Sequence, residues 1–269
     1  MYYSQHGEDF LLEKIFAEKD KGVFVEVGCV DGRRFSNTLL FEEKGWSGLN
    51  IEAHTDYIPL LKKNRSESVT VHAAVCESDG GTITFYADRR GSLSSLDQTR
   101  EVELRRDYAE YFSGFKEQIV PRRTLTSIFQ EQKLDNIDIL SIDIEGGEMP
   151  ALEGLDFSMY KPTVLVIEFG SLNDLRTLRN FLRPHGYVQA LIIKNNVFMT
   201  ADSSICDIVQ RKKFPNVSLL HTGNPFDGDP DVTKIVSIST TRLTYLVTLW
   251  KFLEKKLRHV VKDVIRKYD

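Results

Sequence analysis

The chain has 269 residues, 41% apolar and 28% charged, with 35 Lys or Arg against 39 Asp or Glu and a formal net charge of −4. That length suits one α/β domain with an appendage and argues against two full domains, and the acidic balance removes the whole-chain electrostatic case for nucleic acid as a partner. Cys29, Cys76 and Cys206 are too few and too scattered for a disulfide framework or a zinc cluster, no apolar run is long enough to span a bilayer, and the polar start MYYSQHGEDF is unlike an export signal, so a cytoplasmic location is expected.

In chain order, Gly22–Gly28 (GVFVEVG) reads as a strand, Ser36 as the cap of a helix over Asn37–Lys44, Gly48–Glu52 as a second strand, Tyr57–Asn64 as a helix and Val69–Val75 as a third strand. TITFY, after Gly80-Gly81, reads as a strand, and Ala87–Leu96 as a loop whose order depends on ligand. Charged residues from Arg100 to Tyr111 read as helical, and Gln118–Thr124 leads to a helix that Thr124 caps. Ile137–Ile142 and Thr163–Phe169 read as the fourth and fifth strands, with helices over Met149–Leu155 and Asn173–Pro184. ALIIKNNVFMT then reads as an antiparallel hairpin turning at Asn195–Asn196, and Phe214–Asp231 as a loop. Short β-branched runs alternating with helices imply a doubly wound α/β sheet, here of seven strands with a terminal antiparallel hairpin. The expected division is a domain over 1–213, a linker over 214–239 and a basic amphipathic helix over 240–269.

Strand one ends in Glu26-Val27-Gly28-Cys29-Val30-Asp31-Gly32, a turn that lets backbone approach a ligand at the carboxyl edge of the sheet. The dinucleotide fingerprint asks for glycine at 28, 30 and 33; Val30 and Arg33 break it, which weakens a nicotinamide-dependent oxidoreductase. Carboxylates at Glu26 and Asp31 would repel a pyrophosphate but suit the ammonium and sulfonium of S-adenosylmethionine. Glu52 closes strand two where an acidic side chain accepts ribose hydroxyls, and Ala74 and Val75 close strand three beside the adenine. Strand four ends at Asp143 and Glu145, and strand five at Glu168. Two readings stay open for these acids: Asp143 and Glu168 hold Mg2+ or another divalent cation, or they hydrogen-bond the cofactor amine and the substrate directly. Asp143, Glu145 and Glu168 are the catalytic candidates, with His6 and His54 as further bases; His72, alternating with apolar neighbours, reads as a satisfied core histidine.

These motifs resemble the FkbM family of methyltransferases over roughly Tyr3 to Met199. Ser4-Gln5-His6-Gly7-Glu8-Asp9 with Leu12 is similar to the family's SQ-x-GED-x-x-L start, VFVEVGCVDG to its first motif and Ser36-Asn37-Thr38 to its SNT. Ile142-Asp143-Ile144-Glu145-Gly146, with Glu148 and Leu152–Gly154, is similar to its IDVEG-x-E-x-x-L-x-G signature. The resemblance implies a Rossmann-like methyltransferase sheet and methyl transfer from S-adenosylmethionine to oxygen, on a glycan or another hydroxyl-bearing small molecule. It implies cofactor roles for Glu26, Gly28, Asp31, Asn37, Glu52 and Asp143, adds Gln5 and Asp9 to the same pocket, and makes the loop with Ser94-Ser95-Leu96 a cover for the active site. Val30 departs from the third glycine of broader methyltransferase motifs.

Leu246, Trp250, Leu253, Leu257, Val260 and Val264 recur at helical spacing, with Lys251, Lys255, Lys256, Arg258, Lys262 and Arg266 largely on the other side. Packing on the domain, self-association and peripheral contact with an anionic membrane through residues 241–267 are all compatible with this pattern. A catalytically silent scaffold acting through this helix is the remaining alternative to an enzyme, and the acids at the strand ends speak against it.

Overall fold

The computed structural model describes residues 1–89 and 91–211, together with 219–220 and 234–235. Helix α1 (Glu8–Ile15) is followed by β1 (Val23–Val27), α2 (Leu39–Glu43), β2 (Ser47–Glu52), α3 (Ile58–Asn64) and β3 (Val69–His72). Next come β4 (Ala74–Val75), β5 (Thr82–Asp88), α4 (Arg100–Asp107), β6 (Phe115–Arg123), α5 (Leu125–Glu131), β7 (Ile139–Ile142), α6 (Glu148–Glu153) and β8 (Val164–Glu168). Helix α7 (Leu172–Leu182), the hairpin β9 (Val188–Ile193) and β10 (Asn196–Thr200), and α8 (Ser203–Arg211) follow, and β11 (Leu219–Leu220) pairs antiparallel with β12 (Lys234–Ile235).

Seven strands form one sheet in the order β3-β2-β1-β7-β8-β10-β9, parallel except where β10 runs antiparallel to β8 and β9. The central strands read as near-continuous apolar runs because both their faces are covered. Alternate residues divide between two cores. Val25, Val27, Leu140, Ile142, Leu165 and Ile167 pack with residues of α5, α6 and α7, whereas Phe24, Ile139, Val164, Val166 and Phe198 pack with α1, α2 and α8. The register decides where chemistry can occur. Val27 lies level with Ile51 and Ile142, and Ile142 with Ile167, so the residues that follow each strand emerge along one edge.

Three local expectations need correction. The continuous run Val69–Val75 is split: Ala73 N–H makes the last rung to the Glu52 carbonyl (3.0 Å), after which Ala74–Val75 pairs with Arg122–Arg123 in a second sheet ordered β4-β6-β5. Ser36 does not cap α2, which starts at Leu39; its Oγ accepts from the N–H groups of Thr38 (3.2 Å) and Leu39 (3.0 Å) while donating to Glu26. The hairpin turns at Lys194–Asn195, with Lys194 at φ 53°, and Asn196 is buried inside β10. Thr124 caps α5 as expected, accepting from Ser127 N–H. The linker expected over 214–239 contains β11 and β12, and its other residues, like the whole helix expected over 240–269, lie outside the described residues.

Candidate active site

A cavity of ≈ 240 Å³ opens at the carboxyl edge of the sheet, bounded by the ends of β1, β2, β4, β7 and β8, the N-terminal segment and the loop after β5. Gln5, Glu26, Gly28, Asn37, Glu52, Ala74, Asp143, Glu145 and Glu168 all line it. Asp9 and Asp31 do not appear on that wall.

Gly28 turns at φ 86°, and a Cβ there would collide with the Asp143 carbonyl oxygen, so only glycine lets the β1 and β7 loops meet. Val30 adopts φ 49°, the left-handed conformation a glycine would take more cheaply, and its N–H donates to Glu52 Oε2 at 2.6 Å. The departure from the glycine pattern therefore keeps the turn and changes what holds it. Glu52 also accepts from His54 N–H (2.7 Å), and burial raises its carboxyl to about 7.

Glu26 is held by the protein itself. Its carboxylate accepts from Ser36 Oγ (2.8 Å), Thr38 Oγ1 (2.8 Å), Asn37 N–H (2.7 Å) and Arg65 Nη1 (3.0 Å), so it braces the cavity wall instead of offering two open oxygens to an ammonium. Asp31 accepts from the N–H groups of Arg33 and Arg34 (both 2.9 Å) and from Arg34 Nε (2.7 Å), and so ties down its own loop. Asp9 accepts from Tyr3 N–H, Ser4 Oγ and Phe10 N–H, folding the turn that brings Gln5 and His6 to the cavity. Glu8, buried beside it, accepts from Asn196 Nδ2 (2.9 Å) and His6 N–H (2.8 Å), which clasps the N-terminal segment to the hairpin.

Past the ends of β7 and β8, oxygens of Asp143, Glu145 and Glu168 lie within 4.8 Å of one another. Burial raises all three carboxyls, Glu145 to about 7, and the neighbouring Asp143, hydrogen-bonded to Glu168, pushes the Glu168 carboxyl higher still. Asn195 Nδ2 donates to Glu168 Oε1. Glu145, at φ 55°, receives Arg100 Nη2 on Oε2 (2.8 Å), while Arg100 Nη1 and Ser95 Oγ (3.0 Å) share its carbonyl. Glu148 braces the same turn, accepting from the N–H groups of Ile144 (3.0 Å) and Gly146 (3.1 Å). Arg100 and Asn195 already donate to Glu145 and Glu168, so a divalent cation held between Asp143 and Glu168 would compete with protein donors.

Of the histidines among the described residues, only His6 reaches the cavity. His54 is buried, pairs Nε2 with the Asp88 carbonyl (2.9 Å), and burial lowers its pKa. His72 Nε2 finds the Ala53 carbonyl (3.0 Å), the satisfied histidine expected. The loop after β5 does line the cavity, through Gly91, Ser92, Leu93, Ser94 and Leu96. Sequence reasoning missed Arg65, Arg100, Tyr108, Ser141 and Asn195. Arg100 and Tyr108 lie in a charged helical stretch, and Asn195 in a turn-forming pair, so no sequence pattern marks their side chains for the cavity.

A seven-stranded sheet of this order, with a glycine turn after β1 and acidic residues at the ends of its neighbours, defines the class of Rossmann-like methyltransferases. The Methyltransferase FkbM domain matches residues 26–188, more than half of the chain, and the chain belongs to that family. No curated protein matches it. Among solved structures it is similar to precorrin-6Y C5,15-methyltransferase from Geobacter metallireducens (13% identity, 71% of this chain and 84% of that one, TM-score 0.36). It is also similar to a TehB-like SAM-dependent methyltransferase from Corynebacterium glutamicum (13%, 73% and 86%, TM-score 0.38). A third similar structure is a SAM-dependent methyltransferase from Geobacter sulfurreducens in complex with S-adenosyl-L-homocysteine (10%, 70% and 67%, TM-score 0.37).

Proposed function

We propose that the chain binds S-adenosylmethionine in this cavity and methylates a hydroxyl of a sugar, glycan or similar small molecule. The observation that carries the reading is the level ending of β2, β1, β7 and β8, which puts Glu52, Gly28, Asp143 and Glu168 around one cavity. The lining fits such a cofactor: Ala73, Ala74, Val75 and Phe85 give an apolar slot for a flat base, and Glu52 stands beside it for the ribose. Acidic groups, not phosphate-cradling glycines, line the cavity past the ends of β7 and β8. When bound, the cofactor supplies a methyl group on a positive sulfur. The protein's task is alignment and removal of one proton. Glu145, whose carboxyl sits near 7, takes the acceptor's proton; Glu168 keeps its own and orients Asp143; Arg100 holds Glu145.

The test is incubation with S-adenosylmethionine and a panel of glycans, read by mass. Gain of one methyl group together with release of S-adenosylhomocysteine is expected, and turnover is expected to persist after chelation, because the acids are already engaged with protein donors. Loss of turnover on chelation with recovery on adding magnesium would restore the metal reading of Asp143 and Glu168.

A further inference from the structure

We propose that Arg65 is the positioning residue for the cofactor, setting its affinity from behind the cavity wall without touching it. The inference rests on the cofactor reading above. Arg65 is fully buried, at 0% exposure, and makes five hydrogen bonds. Nε donates to Glu42 Oε2 (2.7 Å), and Nη2 to Thr38 Oγ1 (2.9 Å). Nη1 is shared among Glu26 Oε2 (3.0 Å), Ser36 Oγ (3.1 Å) and the Gly32 carbonyl (3.3 Å). One planar guanidinium therefore ties together β1, the loop after it, the Ser36–Thr38 turn and α2. The Phe24 ring packs against it, with its centroid 5.2 Å away. Gly32 fits the same picture: at φ 78°, a Cβ there would run into the Arg65 stem and Leu61.

The chain of contacts continues into the cavity. Glu26, paired with Arg65, accepts the Asn37 N–H through Oε1, and Asn37 Nδ2 donates to Ser141 Oγ at 2.9 Å. Glu26, Asn37 and Ser141 all line the cavity, and Arg65 does not. A buried carboxylate deprived of its cation is left with an uncompensated charge and must move, protonate or admit water, any of which displaces Asn37. Lysine keeps the charge but cannot offer donors to acceptors spread around one plane. Arg65→Lys is thus the discriminating substitution.

S-adenosylhomocysteine is titrated calorimetrically into the wild type, Arg65→Lys and Leu178→Ala, the last a change at a buried core residue of α7 that neither lines the cavity nor belongs to the Arg65 network. At temperatures where all three are folded, Arg65→Lys is expected to bind about tenfold more weakly or worse, and Leu178→Ala within about twofold of wild type. Wild-type affinity in Arg65→Lys, with only a lowered Tm, would make Arg65 a purely structural residue and overturn the proposal. If Arg65→Lys does not fold, Thr38→Val, which removes the partner of Nη2, must weaken binding several-fold, and unchanged affinity there overturns it equally. Absence of binding by the wild type would overturn the cofactor reading and this inference together, an outcome distinct from equal binding by wild type and variant.

Discussion

Two N–H groups, from Val30 and His54, already bond Glu52, yet burial still raises its carboxyl to about 7. In the proposed function, ribose hydroxyls donate to it and favour the ionised form, so cofactor binding should release a proton near neutrality. The sign follows directly: below 7 the carboxyl must first lose its proton, so affinity for S-adenosylhomocysteine is expected to rise about tenfold from pH 6 to pH 8. Glu52→Gln should flatten that profile, and titrations in buffers of different ionisation enthalpy should show the released proton. At Glu145, the Arg100 guanidinium lowers a carboxyl that burial and Asp143 raise. Arg100→Ala removes the lowering influence, so the acidic limb of the pH–rate profile is expected to move to higher pH; a limb left in place would contradict the role given to Glu145.

At the scale of elements, the meeting of the β1 and β7 loops depends on Gly28. Gly28→Ala places a methyl group against the Asp143 carbonyl in a left-handed conformation. A cost of roughly 1–3 kcal/mol is expected from the backbone alone, read as a lowered Tm, with cofactor binding lost as the loops separate. The strands and the level edge at which they end were legible, because β-branched runs and the acids that follow them recur in order along the chain. The split after Ala73 was not: VTVHAAV is continuous as a pattern, and only the change of partner from β2 to β6 divides it. Nor can spacing show which donors fill a carboxylate. The Glu26 carboxylate, expected at the cofactor, is also braced by Ser36, Asn37, Thr38 and Arg65, while Arg65 itself, in LKKNRSES, reads as one more surface charge.

For the whole molecule, the buried acids predict an unusual response to pH. Glu8, Glu52 and Glu145 are raised to about 7, and Glu168 further, with desolvation the largest cause in each. A carboxyl raised on folding contributes stability that is complete below its ordinary value near 4.5 and is lost as pH rises through 7. The Tm of the ligand-free protein is therefore expected to fall between pH 5 and pH 8; a rise over that range would show that these acids are better solvated or better paired. No helix among the described residues is long and apolar enough to cross a membrane. The central claim is that one cavity at the sheet's carboxyl edge is built for S-adenosylmethionine. It is tested most directly by titrating S-adenosylhomocysteine and, separately, NAD into the wild type and Glu52→Ala. Saturable binding of S-adenosylhomocysteine, weakened about tenfold or more in Glu52→Ala, with no binding of NAD, is the predicted result. Binding of NAD in preference, or of neither, would contradict the account.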